Sequence, residues 1–241
     1  MWPFKSIDNL DKSGLLQGFT DWHSHILPGV DDGIKTMDES LETLAILESK
    51  GVRKIWLTPH VMEECPNTTE RLRDRFKDLR EAYKGGIELR LASENMLDSL
   101  FEDRLAEKDF LPLGANGEYL LVETSYVNQP YGMDEMIDGV FSIGLTPILA
   151  HPERYAYMRE GDYLKWKKRG VLFQSNIISL IGGYGETARK KLEWMLKEGL
   201  VNILGTDLHK KFVLEHILQK SPKHLTPFKQ LLELAHNPTI Q

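Results

Sequence analysis

Cysteine is nearly absent: the chain has one, Cys65. That excludes an intrachain disulfide and a thiolate-rich zinc site, so any metal has to be held by His, Asp and Glu, in keeping with a reducing compartment. Long apolar runs are missing too. None approaches the ~18 residues of a membrane span, and Met1–Ser6 lacks the apolar stretch of a signal peptide. The expectation is a cytoplasmic protein without direct membrane insertion. Basic residues are outnumbered, 30 Lys and Arg against 36 Asp and Glu for a net charge of −6, which argues against nucleic-acid binding. No Pro-, Gly- or Ser-rich linker and no low-complexity run divides the 241 residues. A polar lead-in over residues 1–18 and one catalytic domain over residues 19–241 are therefore expected.

What is present is a repeated alternation of apolar strands and amphipathic helices. A strand through Phe19–Trp22 runs into His23 and His25. Thr36 and Glu39 have the spacing of a capping box for a helix that buries Leu41, Leu44, Ala45 and Leu47 and ends at Gly51. Val52–Thr58 is a strand ending at His60, and a charged amphipathic helix over Asn67–Lys84 follows, with Leu72, Phe76, Leu79 and Tyr83 at helical spacing. Ile87–Ala92 delivers Glu94, Tyr119–Val122 delivers Glu123, Thr146–Ala150 delivers His151, Val171–Gln174 leads to Ser175 and Asn176, and Val201–Leu204 delivers Asp207 and His209. Helices are expected over 96–108, Met133–Ser142, Asp162–Arg169, Glu186–Glu198 and 211–235. Gly51, Gly144, Gly170 and Gly199 each stand between a helix and an aliphatic strand start, the position of a helix-ending glycine. Seven strands alternating with helices make a parallel α/β fold, most simply a closed barrel.

In parallel barrels the working residues gather at the C-terminal strand ends, because all the βα loops open on one face. Six of the seven strand ends here carry metal-ligand types: His23 with His25, His60, Glu94, Glu123, His151, and Asp207 with His209. A lone His or Glu at a strand end is usually a loop hydrogen-bonder, but six together form a candidate metal site. The remaining histidines, His216, His224 and His236, fall in the C-terminal helical region and read as surface or packing residues. A donor set of His, Asp and Glu suits manganese, zinc or iron, and its size calls for two or three ions. Such a cluster activates water and stabilises the oxygens of a phosphoryl transfer. Arg154, three residues after His151, is placed to grip two phosphate oxygens through its planar fork. Cys65 and Arg71 have the C-x5-R spacing of thiol-based phosphatases. That loop has no glycine, however, and Glu63, Glu64 and Glu70 would repel phosphate and raise the thiol pKa.

The segments H-S-H-I-L-P-G-V-D-D-G, T-P-H, A-S-E, V-E-T, A-H-P-E-R-Y and G-T-D-L-H, in this order over about residues 20–210, resemble the motifs of the PHP (polymerase and histidinol phosphatase) superfamily. More narrowly, they resemble its bacterial capsule-type CpsB/YwqE-like tyrosine phosphatases. The resemblance implies a distorted seven-stranded (β/α)7 TIM-like barrel with a trinuclear site, usually discussed with manganese, at the C-terminal ends of the strands. It implies the ligands His23, His25, Asp32, His60, Glu94, Glu123, His151, Asp207 and His209, with Glu94 bridging and Arg154 on the phosphate. The choice of Asp32 over Asp31 comes from the motif alone. The implied substrate is a phosphotyrosine-bearing protein, a bacterial tyrosine kinase controlling polysaccharide export. Two alternatives remain open at this point: a PHP-type phosphatase of small molecules such as histidinol phosphate or a nuclease, and an inactive scaffold that binds a kinase tail.

Overall fold

A computed structural model describes residues 9–240 of the chain. The first eight residues of the expected lead-in lie outside the described residues. The rest of it packs down, with Leu10, Leu15 and Leu16 buried. The Leu10 N–H donates to the Lys220 carbonyl at 2.9 Å.

The described strands and helices follow one another as β1 (Thr20–Ser24), α1 (Met37–Ser49), β2 (Lys54–Leu57), β3 (His60–Val61), α2 (Thr69–Ala82), β4 (Glu88–Leu91), β5 (Glu94–Met96), α3 (Ser99–Glu107), β6 (Tyr119–Glu123) and α4 (Met133–Ser142). Then come β7 (Thr146–Ala150), a single 3-10 turn at Pro152–Arg154, α5 (Glu160–Lys168), β8 (Leu172–Asn176), α6 (Ile177–Leu180), α7 (Gly185–Lys197), β9 (Ile203–Gly205), α8 (Lys211–Leu218) and α9 (Leu225–His236). Every strand pair is parallel.

The parallel sheet curls, but it is not one continuous hydrogen-bonded ladder. Its strands fall into a three-stranded sheet, β1-β2-β4, and a curled six-stranded sheet, β3-β5-β6-β7-β8-β9. Two expected strands are each broken in the middle. Pro59, between β2 and β3, has no N–H to give to a ladder. Between β4 and β5 the Ser93 N–H turns aside to the Leu111 carbonyl at 3.1 Å. At the other margin β9 is stitched to β1: the Asp207 N–H donates to the His23 carbonyl at 2.8 Å and the His25 N–H to the Leu208 carbonyl at 3.0 Å.

Alternating side chains serve two apolar clusters, as a pleated strand requires. Ile55, Leu57, Leu120, Val122 and Leu149 join a large cluster that takes in the helices. Trp22, Trp56, Leu121, Ile148 and Ile203, drawn from both sheets, meet in a second cluster in which the two tryptophan rings stack 6.0 Å apart. Each such buried aliphatic side chain contributes about 1.5–3 kcal/mol of hydrophobic stabilisation.

The four helix-ending glycines take the left-handed conformation expected of them, with φ of 92° at Gly51, 87° at Gly144, 92° at Gly170 and 63° at Gly199. Beyond each, the next N–H reaches back to the fifth carbonyl before it, as from Val52 to Leu47 and from Leu200 to Met195, which closes the helix and aims the chain into the next strand. Two local expectations need correction. The Thr36 hydroxyl accepts from the Glu39 N–H at 3.2 Å, but no return bond from the Glu39 side chain is made among the described residues. The buried face of α1 is Ser40, Thr43, Leu44 and Leu47, with Ala45 exposed, because the helix packs one residue further round than its apolar positions suggest.

Candidate metal centre

The six strand ends singled out in the sequence converge. Four overlapping groups of ligand atoms form one cluster: His25, Asp32, His60 and His209; His23, His25 and Asp207; His23, Glu94 and His151; His60, Glu94 and Glu123. Between the pairs Asp21–Ile55 and Ser24–Leu57, β1 advances three residues while β2 advances two, so β1 bulges at His23. Bulges of this kind re-aim side chains beside active sites. His151 and Asp207 take positive φ, 31° and 51°, at the ends of β7 and β9. Non-glycine residues are held so only where surrounding contacts outweigh the strain, and such strain gathers at functional sites.

Glu94 is the hub. Its Oε2 lies 3.1 Å from His23 Nε2, 3.2 Å from His25 Nε2 and 3.1 Å from His60 Nδ1, and its Oε1 lies 2.9 Å from His151 Nε2. Glu123 Oε1 stands 2.8 Å from His60 Nδ1. Asp32 Oδ1 stands 3.5 Å from His60 Nε2 and 3.3 Å from His209 Nε2 at the open rim. Asp207 divides its oxygens: Oδ1 faces His25 at 3.4 Å and His209 at 3.4 Å, while Oδ2 accepts from Arg154, Asn176 and Tyr184.

This geometry fits bound cations better than it fits a hydrogen-bonded core. His23 Nε2 and His25 Nε2 meet head on at 3.1 Å; each Nδ1 faces an oxygen, Gln174 Oε1 and Asp31 Oδ2, and so carries the proton of a neutral ring, which sets the two Nε2 lone pairs against each other. His60 Nδ1, Glu94 Oε2 and Glu123 Oε1 are buried and, despite their closeness, have no hydrogen bond of acceptable geometry. Buried polar atoms left in that state are costly unless something else satisfies them. Neutral nitrogen and carboxylate oxygen are the donors that hard and borderline divalent ions accept.

Protonation follows the same logic. Burial pushes His23 and His25 down, but the facing carboxylates, Glu94 and Asp207 for the first and chiefly Asp31 for the second, outweigh it and both stand above the ordinary imidazole value. His60, opposed by burial and by His25, is raised to about 9 by Glu94 and Glu123. Burial would raise Glu94 and Asp207, yet the surrounding histidines hold both well below the usual carboxylate range. The pocket is built for positive charge between its walls.

Several other residues support the candidate ligands. Asp31 Oδ2 accepts from His25 Nδ1 at 2.8 Å and from the His60 N–H at 3.1 Å, fixing the ring of one candidate ligand and the backbone of another. Asp21 ties β1 to β9 through the Thr206 N–H at 2.8 Å and the Thr206 hydroxyl at 2.6 Å. The one strand end without a metal-ligand type, that of β8, supplies amides instead. Gln174 Oε1 accepts from His23 Nδ1 at 2.8 Å, Gln174 Nε2 donates to Asn176 Oδ1 at 2.8 Å, and Asn176 Nδ2 donates to Asp207 Oδ2 at 2.7 Å. Amides relaying between ligands at a strand end were the available signal, but Gln and Asn are equally common in solvated loops.

Arg154 is placed at the mouth, as expected, and is no free surface arginine. Its guanidinium carbon sits 4.2 Å from the ring centre of Tyr126 and 4.1 Å from that of Tyr184, and Nη1 donates to Asp207 Oδ2 at 2.7 Å. Two aromatic rings and a carboxylate thus orient the fork. Cys65 makes no phosphate cradle. Its thiol donates to the Val30 carbonyl at 3.3 Å, and burial together with Asp31 pushes its pKa up, away from the nucleophilic thiolate.

Comparison with known proteins agrees with the geometry. Residues 19–226 match the family model described as capsular polysaccharide synthesis, CpsB/CapC, and the chain belongs to that family. Its relatives include the putative tyrosine-protein phosphatase CapC of Staphylococcus aureus, 30% identical over 195 residues that cover 78% of this chain and 76% of that protein. The tyrosine-protein phosphatase YwqE of Bacillus subtilis is 26% identical over 201 residues, again covering 78% of this chain and 76% of the relative. Among solved structures, the crystal structures of YwqE from Bacillus subtilis and CpsB from Streptococcus pneumoniae, described as unique metal-dependent tyrosine phosphatases, share the fold with a TM-score of 0.74 at 24% identity, over 92% of this chain and 96% of theirs. The phosphotriesterase homology protein of Escherichia coli, complexed with phosphate, matches in fold with a TM-score of 0.52 at 15% identity over 90% of this chain and 91% of that one.

Proposed function

We propose that this chain is a metal-dependent protein-tyrosine phosphatase that acts on a phosphotyrosine-bearing protein, a bacterial tyrosine kinase controlling capsule or exopolysaccharide synthesis. The single observation that carries the reading is the convergence of nine His, Asp and Glu side chains, eight from six strand ends and Asp32 from the loop after β1, around buried, unpartnered donor atoms. The relatives named tyrosine-protein phosphatases support it. In this reading the two sheets are one distorted seven-stranded barrel in which β2 with β3 and β4 with β5 are interrupted single strands. Residues 19–241 then form one catalytic domain, placed in the cytoplasm. Among the described residues no helix is long and apolar enough to cross a membrane.

His23, His25, Asp32, His60, Glu94, Glu123, His151, Asp207 and His209 hold two or three divalent ions, preferably manganese, with zinc or iron as alternatives. Bound there, the ions supply positive charge for the phosphoryl oxygens and lower the pKa of water to near neutrality. The chain's own residues do the rest. Glu94, facing four histidines, sets the spacing of the ligand groups. Asp31 and Gln174 lock the rings of His25 and His23. Arg154, held flat between Tyr126 and Tyr184, uses Nη1 on Asp207; its other guanidinium nitrogens have no hydrogen-bond partner among the described residues and meet the phosphate at the mouth. Tyrosinate, with a parent pKa of about 10, leaves without the full protonation that a serine alkoxide demands.

The test is phosphate release from a phosphotyrosine peptide, from histidinol phosphate and from single-stranded DNA, each with and without a chelator. Turnover of the peptide that a chelator abolishes and added divalent metal restores is the expected result. Preference for histidinol phosphate or DNA, or full activity in chelator, would overturn the proposal.

A further inference from the structure

The cavity at the metal centre is larger than a phosphotyrosine head needs. It encloses about 1080 Å³ and runs from Asp32, His60, Asp207 and His209 past Arg154 and along α8 to Lys220 and Lys223. A pocket for a drug-sized ligand has roughly 300–1,000 Å³, so this one has room for chain on either side of the modified residue. Its floor beyond the ligands is apolar, with Ile181, Val213 and the exposed ring of Phe212. Its far wall is basic.

The charge of that wall runs against the rest of the molecule. The chain as a whole is acidic, at −6, yet Lys210, Lys220 and Lys223 line the cavity, and among the described residues Asp32 and Asp207 of the metal centre are the only carboxylates that line it. Lys223 has one weak contact, 3.5 Å from Glu186 on the neighbouring helix, and Lys220 has no ion pair among the described residues. α8 has eight residues. At about 1.5 Å per helical residue it is roughly 12 Å long, the reach of three or four residues of extended peptide at about 3.3 Å each.

We infer that this groove along α8 seats an acidic peptide segment flanking the phosphotyrosine, with Lys220 and Lys223 recognising its carboxylates and Phe212 and Ile181 covering its apolar atoms. The inference rests on the phosphatase reading and adds the sequence class of the substrate. The lysines select by field and by exposed pairing, so the selectivity is salt-sensitive.

The experiment measures kcat/KM on free phosphotyrosine, on a phosphotyrosyl peptide with acidic neighbours, and on the same peptide with those neighbours changed to Gln and Asn. The proteins are the wild type, Lys220→Glu with Lys223→Glu, and Lys220→Arg with Lys223→Arg, all metal-loaded. The wild type is expected to prefer the acidic peptide about tenfold at low salt, with the preference shrinking as salt is added. The Glu pair should erase or invert that ratio, and the Arg pair should keep it. Equal wild-type rates on the two peptides, or a preference that survives in the Glu pair, would overturn the inference while leaving the phosphatase intact. Failure of the wild type to release phosphate even from free phosphotyrosine would overturn both.

Discussion

Arg154 Nη1 donates to Asp207 Oδ2 at 2.7 Å, and the other oxygen of the same carboxylate faces His25 at 3.4 Å. One aspartate therefore joins the other candidate ligands to Arg154, which among the described residues is the only arginine lining the cavity. Asn176 and Tyr184 hold the same Oδ2, so the carboxylate keeps two donors besides the arginine.

Arg154→Ala is expected to lower kcat/KM on phosphotyrosine about 100-fold at saturating metal, the size of losing one positioned donor to a developing anion. Arg154→Lys should recover little, because an ammonium neither fills the slot between the Tyr126 and Tyr184 rings nor offers a planar fork. A lysine variant within twofold of wild type would remove the argument for the sandwich.

Gln174→Ala is expected to weaken metal binding about 10- to 100-fold, the usual cost of deleting a hydrogen bond that orients a ligating ring. Calorimetric metal titration measures it directly. Activity at low metal should fall further than activity at excess metal, since His23 itself remains.

Removing the metal is expected to lower the melting temperature as well as abolish activity. Glu94, Glu123 and Asp207 crowd together in the interior, and a ligand that binds only the folded state stabilises it by mass action. Scanning calorimetry of chelated and manganese-loaded protein checks this. A melting temperature independent of divalent ions counts against the nine residues as ligands.

Cys65→Ser is expected to keep full activity. The thiol pKa is raised by burial and by Asp31, so the neutral form persists to higher pH than in an ordinary cysteine. Alkylation by iodoacetamide should accordingly be slow near neutral pH and accelerate only in the alkaline range. Loss of turnover in the serine variant would return the C-x5-R loop to consideration.

Gly205→Ala is expected to destabilise the protein by about 1–3 kcal/mol, the cost of overpacking. A Cβ there would stand 2.5 Å from His23 Cβ and 2.9 Å from Gln174 Nε2. Denaturant unfolding of the metal-loaded variant gives the value. Metal affinity should fall with it, since the same atom pushes on a ligand and on the amide that orients it.

Eight of the nine candidate ligands were legible because each stands at or just beyond the end of an apolar run, a signal contained in a few adjacent positions; Asp32 came from the resemblance alone. The same holds for the glycines at 51, 144, 170 and 199, whose place between helix and strand declares their left-handed conformation. The breaks in β2–β3 and β4–β5 were not legible: Pro59 was visible, but the turning aside of Ser93 toward Leu111 depends on a segment 18 residues away. Residue type could not separate Asp31 from Asp32, which the motif alone preferred; in the fold one is taken by His25 Nδ1 and the His60 N–H, and the other faces His60 and His209 across the rim.

By itself the sequence determined the alternation of strands and helices, the chemistry of the donors and the face on which they gather, because periodicity and residue type are local properties. Tertiary structure alone decided how the sheet divides, that β8 contributes Gln174 and Asn176, and that Tyr126 and Tyr184 close on Arg154 from opposite sides. Those contacts join residues far apart in the chain, and hydrogen-bond direction and ring stacking exist only once the intervening elements have packed.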